Sequence, residues 1–194
     1  IPAIEVVYNG QMIIHPLFVH FPIALLSVYS LFEVLRFRRL MAKDSWFYIK
    51  AVLVILGALS AVVTLKTGEF DAESSGGFRG NPVLEVHESM AKAATAIFLG
   101  IAACYVVLWF VKENWHEKIF AAFRIPEQSP IRKIFDLILK IPQILVGSPL
   151  AILFALAGFA ALALTGGLGG LLVYGPDADP ATKILYFIVM SFAG

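Results

Sequence analysis

Two stretches carry the residues that could do chemistry. HPLFVHFPIALL (15–26) holds His15 and His20, and VHESMAKAAT (86–95) holds His87. A neutral imidazole offers a nitrogen lone pair to a metal or a haem iron. Ionisable groups in apolar segments are costly, so three imidazoles at one depth ask for a chemical reason. On a helix, residues five apart lie about 140° and about 7.5 Å apart, so His15 and His20 do not share one small ligand. Pro16 suits the first helical position and biases His15 towards an extended cap. Pro22 removes a helical donor and leaves the carbonyl of Phe18 free to bond something else.

The elements that must position these residues follow from composition. The chain has 194 residues, 59% hydrophobic and 15% charged, with mean hydropathy +0.83. The apolar residues fall in long runs at 16–35, 46–65, 90–110 and 149–173. Each run reaches the roughly 20 residues needed to cross a bilayer core. Lipid satisfies no backbone hydrogen bonds, so each must be helical. The expected fold is all-α and integral to the membrane: one four-transmembrane-helix bundle over residues 1–194, with interfacial helices at 113–146. Residues 1–12 are too short and polar for a signal peptide, and the missing initiator methionine points to a processed or partial chain. A single cysteine, Cys104, excludes an internal disulfide, CxxCH haem attachment and any cysteine cluster. No internal repeat stands out along the chain.

Four spans put both termini and the 66–89 connection on one side. The other side takes Arg36, Arg38, Arg39, Lys43, Lys50, Lys112, Lys118, Arg124, Arg132, Lys133 and Lys140, and only Lys66, Arg79, Lys92 and Lys183 fall on the first. The positive-inside rule then makes the second side cytoplasmic and both termini external, which is periplasmic in a two-membrane bacterium. IRKIFDLILKIPQIL (131–145) and WHEKIFAAF (115–123) mix basic residues with a broad apolar face. They read as helices lying on an anionic leaflet, with a docking surface for a partner subunit as the alternative. His116 reads as an ordinary interfacial residue. After GPDADP (175–180), the tail ILYFIVMSFAG is too short to span; it lies on the outer surface, packs on a neighbour, or begins a fifth helix.

His15, His20 and His87 all fall near the external end, because the first and third spans run in the same direction. The connection there adds Glu69, Asp71, Glu73, Glu85 and Glu88. The fourth span ends in TGGLGGLLVYG (165–175), whose Gly166 and Gly170 let a flat ligand or a backbone approach closely. Three readings stay open. In the first, two neutral imidazoles ligate a non-covalent haem b, His20 with His87 as the best pair by depth and His15 with His87 next. In the second, His15, His87 and Glu88 or Asp71 hold a metal ion, or the histidines contact a quinone. In the third, His15 caps its helix while His87 and Glu88 make hydrogen bonds in the headgroup region. Glu33, beside Arg36, reads as a snorkelling ion pair, and Cys104 as a packing residue. No nucleophile–His–Asp set, zincin helix, phosphate loop or nucleic-acid patch is present. No charged residue sits at the midplane of a span, which argues against a transporter.

HPLFVHFPIALL, LKTGEFD (65–71), HESMAKAA (87–94) and GGLGGLLVYG (166–175) together resemble DUF2231, a family of bacterial membrane domains with the pattern His-Pro-x-x-Val-His-Phe-Pro-Ile-Ala-Leu. The likeness covers 15–110 and 149–175, and the 111–148 stretch looks longer than a typical connection. It implies a four-helix membrane bundle, with His15, His20 and His87 at the family's histidine positions. Fusion of some relatives to c-type cytochrome domains implies an electron-transfer role. The expected function is therefore the membrane subunit of a respiratory-type complex rather than a stand-alone enzyme. It would bind haem b and pass electrons between membrane or periplasmic redox subunits, with quinone a possible acceptor. The rival is a non-redox membrane anchor or assembly subunit that docks an extracytoplasmic partner.

Overall fold

The computed structural model describes residues 15–36, 38–75 and 80–193. The expectations for residues 1–12 and Arg79 lie outside the described residues. Eight helices are described: α1 (His15–Val34), α2 (Arg38–Met41), α3 (Asp44–Ser75), α4 (Pro82–Lys112), α5 (Trp115–Ala122), α6 (Pro130–Gly147), α7 (Leu150–Tyr174) and α8 (Pro180–Ala193). Among the described residues there is no strand. Four helices, α1, α3, α4 and α7, are long and apolar enough to cross a membrane.

The 66–89 connection is shorter than the hydropathy suggests. Nothing after Lys66 breaks the helix, so α3 runs on to Ser75. Asn81 caps α4 early, its side chain accepting from the Val83 N–H at 2.9 Å, with Pro82 at the first helical position. Glu69, Asp71, Glu85 and Glu88 therefore stand on helices rather than in a loop. At the other end α4 stops at Glu113, and Asn114 takes a left-handed φ of 55° that turns the chain into α5. α7 ends at Gly175, whose φ of 81° suits a residue without a Cβ.

The four spans form a ring in which α1 packs on α3 and α7, and α4 packs on the same two. α1 and α4 thus sit across the bundle from each other. The core is built from Leu26, Tyr29, Ala51, Val54, Ala58, Phe98, Ile101, Tyr105 and Ala155. Small residues let the helices close: a Cβ on Gly57 would stand 2.5 Å from the Leu26 side chain, and one on Gly158 2.8 Å from Phe98.

A repeat does exist, although the sequence hides it. The buried positions of α1 are Pro22, Leu26, Tyr29, Ser30 and Glu33. Advance each by the separation of His15 and His87, and they become Ala94, Phe98, Ile101, Ala102 and Tyr105, all buried in α4. Gly57, Thr64 and Gly68 of α3 advance together, by one common step, to Gly158, Thr165 and Gly169 of α7. The α1–α3 hairpin and the α4–α7 hairpin are two versions of one unit, related by a pseudo-twofold axis along the bundle. Side-chain identities differ at nearly every shared position; the burial pattern, the small residues and the matched His15–Thr64 and His87–Thr165 pairs preserve the register.

α8 packs on α7 and α4, with Leu185 against Gly167 and Val189 in a cluster with Val83, Leu168 and Leu171. The tail is thus helical and packed on its neighbours within the chain.

Candidate functional site

The histidine end is built twice. His15, the first residue of α1, lies 3.0 Å by its Nδ1 from the Thr64 carbonyl of α3, and His87 of α4 lies 2.9 Å by its Nδ1 from the Thr165 carbonyl of α7. A carbonyl only accepts, so Nδ1 carries the proton in both rings. In the neutral form of each ring, Nε2 is then the nitrogen left with a lone pair. Each ring also lies over a glycine one turn beyond its threonine. A Cβ on Gly68 would stand 3.0 Å from His15 Nδ1, and one on Gly169 3.3 Å from His87 Cε1. Both rings are half-buried.

Local backbone chemistry holds this end in place. The Phe18 carbonyl that Pro22 frees lies 3.2 Å from Thr64 Oγ1, which shares its one proton between it and the Ser60 carbonyl at 2.9 Å, while the Thr64 carbonyl takes the His15 ring. Asp71 accepts from the His15 backbone N–H at 2.9 Å, as a helix cap supplied by another helix. His20 differs. It is exposed, and its Nδ1 bonds the Pro16 carbonyl of its own helix at 3.0 Å. The structure thus builds His15 and His87, but not His20, into contacts between helices.

Gly166 and Gly170 face open space, with nothing within 4 Å of an added Cβ. The glycines against the imidazoles are Gly68 and Gly169, which the sequence reading passed over. Their signal was the shared Thr-x-x-x-Gly spacing in two otherwise unlike helices. The three-donor metal set of His15, His87 and Glu88 or Asp71 is not assembled. Among the described residues no group of three His, Cys, Asp or Glu could hold a metal ion, and Glu88 is taken by Lys92 at 3.2 Å.

The opposite end carries a second polar layer, and here the reading of Glu33 needs correction. Arg36 does bond it, at 3.0 Å, but the carboxylate does not snorkel: its side chain is 0% exposed. Lys50 of α3 donates to it at 2.8 Å and the Tyr105 hydroxyl of α4 at 3.2 Å. Arg36 also donates to the Ser148 carbonyl, at the mouth of α7, at 2.7 Å. One acid therefore ties all four spans. A lone carboxylate at this depth would be prohibitive; three donors make it tenable. Tyr29 is buried in the same layer, edge-on to Tyr105, its hydroxyl without a hydrogen-bond partner among the described residues. Asp44 with Lys112, and Glu113 with Tyr48, each at 2.6 Å, add ties between α3 and α4. The signal was Lys50 itself, a cation inside the apolar run WFYIKAVLVIL (46–56).

His116, on α5, stacks on Phe135 of α6 with ring centroids 5.5 Å apart. Cys104 is partly buried in α4 and free.

No curated protein and no solved structure matches this chain. One family model does, over residues 11–178: Predicted membrane protein (DUF2231). That span takes in all four crossing helices, both imidazoles with their threonines, and the Glu33 layer, so the chain is a membrane protein that belongs to the DUF2231 family.

Proposed function

We propose that the chain is the membrane subunit of an electron-transfer complex and that His15 and His87 would hold haem b at its histidine end. One observation carries the reading: both imidazoles have Nδ1–H fixed on a backbone carbonyl, so that Nε2 is the nitrogen each neutral ring would offer a metal. Ligating histidines are characteristically oriented by such a bond, which fixes the tautomer and raises ligand basicity. The pseudo-twofold axis supports the same pairing, because it makes His15 and His87 equivalent. His20, first by depth alone, has no counterpart in the second hairpin and is exposed. The donor set fits haem iron better than a small metal ion, since haem needs only two protein ligands and no third is assembled here.

When bound, the haem supplies one-electron chemistry. The chain's own part is to hold two neutral imidazoles in register, keep lipid and water off them with α8 and the α7 glycines, and present the site to a membrane or periplasmic redox subunit, or to quinone. The Lys and Arg distribution supports placing this end outside, on the periplasmic side of a bacterial inner membrane.

The test is a reduced-minus-oxidised visible spectrum of the full chain made with ample haem. A low-spin signature is expected. His15→Ala and His87→Ala should each abolish it, while His20→Ala, His116→Ala, Gly166→Ala and Gly170→Ala keep it. Absence of Soret absorbance in the wild type would overturn the proposal. The non-redox anchor that docks an extracytoplasmic partner would then lead, favoured by the exposed Ile184, Phe187 and Phe192 of α8 near the same end.

A further inference from the structure

The second hairpin carries something the first lacks. Histidine and threonine are 49 residues apart in the first hairpin and 78 in the second, and α5 and α6 fill the difference. They are an addition to a unit that closes without them.

α6 has three faces rather than the two expected of an amphipathic helix. Phe135, Leu139 and Pro142 face the protein, where Phe135 stacks on His116 and α6 packs on α4 and α7. Ile131, Ile134, Leu137, Ile138, Ile141 and Ile144 are each more than half exposed. At about 100° per residue they form one stripe about 140° wide. The remaining arc holds Lys133, Asp136 and Lys140, all exposed, with Arg132 drawn back onto Glu117 at 2.8 Å and over the Phe120 ring. Water cannot be the environment of the isoleucine stripe. The hydrocarbon centre cannot be the environment of the lysines. Only a boundary between the two suits both arcs while the third stays docked.

The charge at this end selects the kind of boundary. Eleven Lys and Arg, against Glu33, Asp44, Glu113, Glu117, Glu127 and Asp136, lie at the α2, α5 and α6 end of the bundle. We infer that α6 is a lipid-recognition element: its isoleucine stripe sits among the acyl chains of the adjoining leaflet, and Lys133 and Lys140 bind anionic phospholipid headgroups. α5 is its lever arm, holding α6 at the right height through the Arg132–Glu117 pair and the Phe120–Phe135 contact.

The experiment uses the full chain with Cys104→Ser, reconstituted in bilayers of phosphatidylglycerol or phosphatidylcholine. Nitroxides on Ile134→Cys and Ile141→Cys should collide mainly with oxygen, and those on Lys133→Cys and Lys140→Cys with a water-soluble nickel chelate. Phosphatidylglycerol should co-purify in preference to phosphatidylcholine, and Lys133→Gln with Lys140→Gln should cut that preference at least fivefold, since each lysine near an anionic surface is worth about a factor of five. Nickel access to all four positions would overturn the inference. So would equal retention of the two lipids, or shielding of 134 and 141 that grows with protein concentration, which would assign the stripe to a second copy. Access to 133 and 140 from opposite sides of the bilayer would overturn it as well, because α6 would then span.

Discussion

Replacing Glu33 with alanine should be the most damaging single change at the basic end, and its cost follows from what remains behind. Lys50, with its side chain 9% exposed, loses its counter-ion. Breaking a buried pair from one side costs about 3–5 kcal/mol. The Tyr105 hydroxyl loses its acceptor, which adds about 1 kcal/mol. Arg36, 22% exposed, keeps the Ser148 carbonyl and can turn its surplus charge to water, so it adds little. The expected loss is about 4–6 kcal/mol. Glu33→Gln keeps an oxygen acceptor in place and should lose about half as much. The informative variant is the double one, Glu33→Ala with Lys50→Met. It removes both buried charges, and such replacements are often neutral or better, so stability should return to within about 2 kcal/mol of the native protein. SDS-unfolding titrations in mixed micelles, followed by tryptophan fluorescence, give these differences directly. If Glu33→Ala unfolds within 1 kcal/mol of the wild type, or the double variant is no more stable than the single one, the layer is not the tie it is taken to be.

Tyr29→Phe should change stability by less than about 1 kcal/mol in the same titration, because it removes a buried hydroxyl that has no partner to lose. Thr64→Val should cost about 1 kcal/mol by removing the hydroxyl proton shared between the Phe18 and Ser60 carbonyls. The same change leaves the Thr64 backbone carbonyl for His15, so a haem signature, where present, should survive it. A reporter fused after Arg39 or within 124–133 should behave as cytoplasmic and one placed in 72–80 as external; protease access to 72–80 from the cytoplasmic side would invert the topology.

The spans were legible because lipid leaves the backbone one economical solution, and apolar length reports it without any knowledge of tertiary contacts. α1 and α7 fall within a residue of the hydropathy runs at both ends. α3 and α4 do not, since polar turns of helix beyond the apolar runs, such as that bearing Lys66, Glu69 and Asp71, leave no hydropathic trace. The histidines could be placed at one end by topology alone. Which way their rings point could not, because that depends on which helices become neighbours: His15 finds Thr64 only when α1 meets α3. Depth favoured His20 over His15, whereas packing favours His15. Glu33 was misread for the same reason. Its partner in sequence is Arg36, but Lys50 and Tyr105 arrive from other helices, and they decide that it is buried rather than drawn to the surface.

The pseudo-twofold register bears on how such a polar layer could arise. Glu33 and Tyr105 occupy equivalent positions in the two hairpins, and they meet across the axis at 3.2 Å. Were the hairpins separate copies of one chain, whatever stood at that position would face itself. A glutamate would confront a glutamate in a medium of low dielectric, and one of the two would have to take up a proton. Joining the copies in a single polypeptide lifts that constraint. One position can keep the acid while the other becomes a phenol that donates to it, and Lys50 can be matched on the opposite hairpin by Ala151. Covalent fusion thus opens the axis to heteropolar pairs that a homodimer is forbidden, and frees one half alone to acquire α5 and α6.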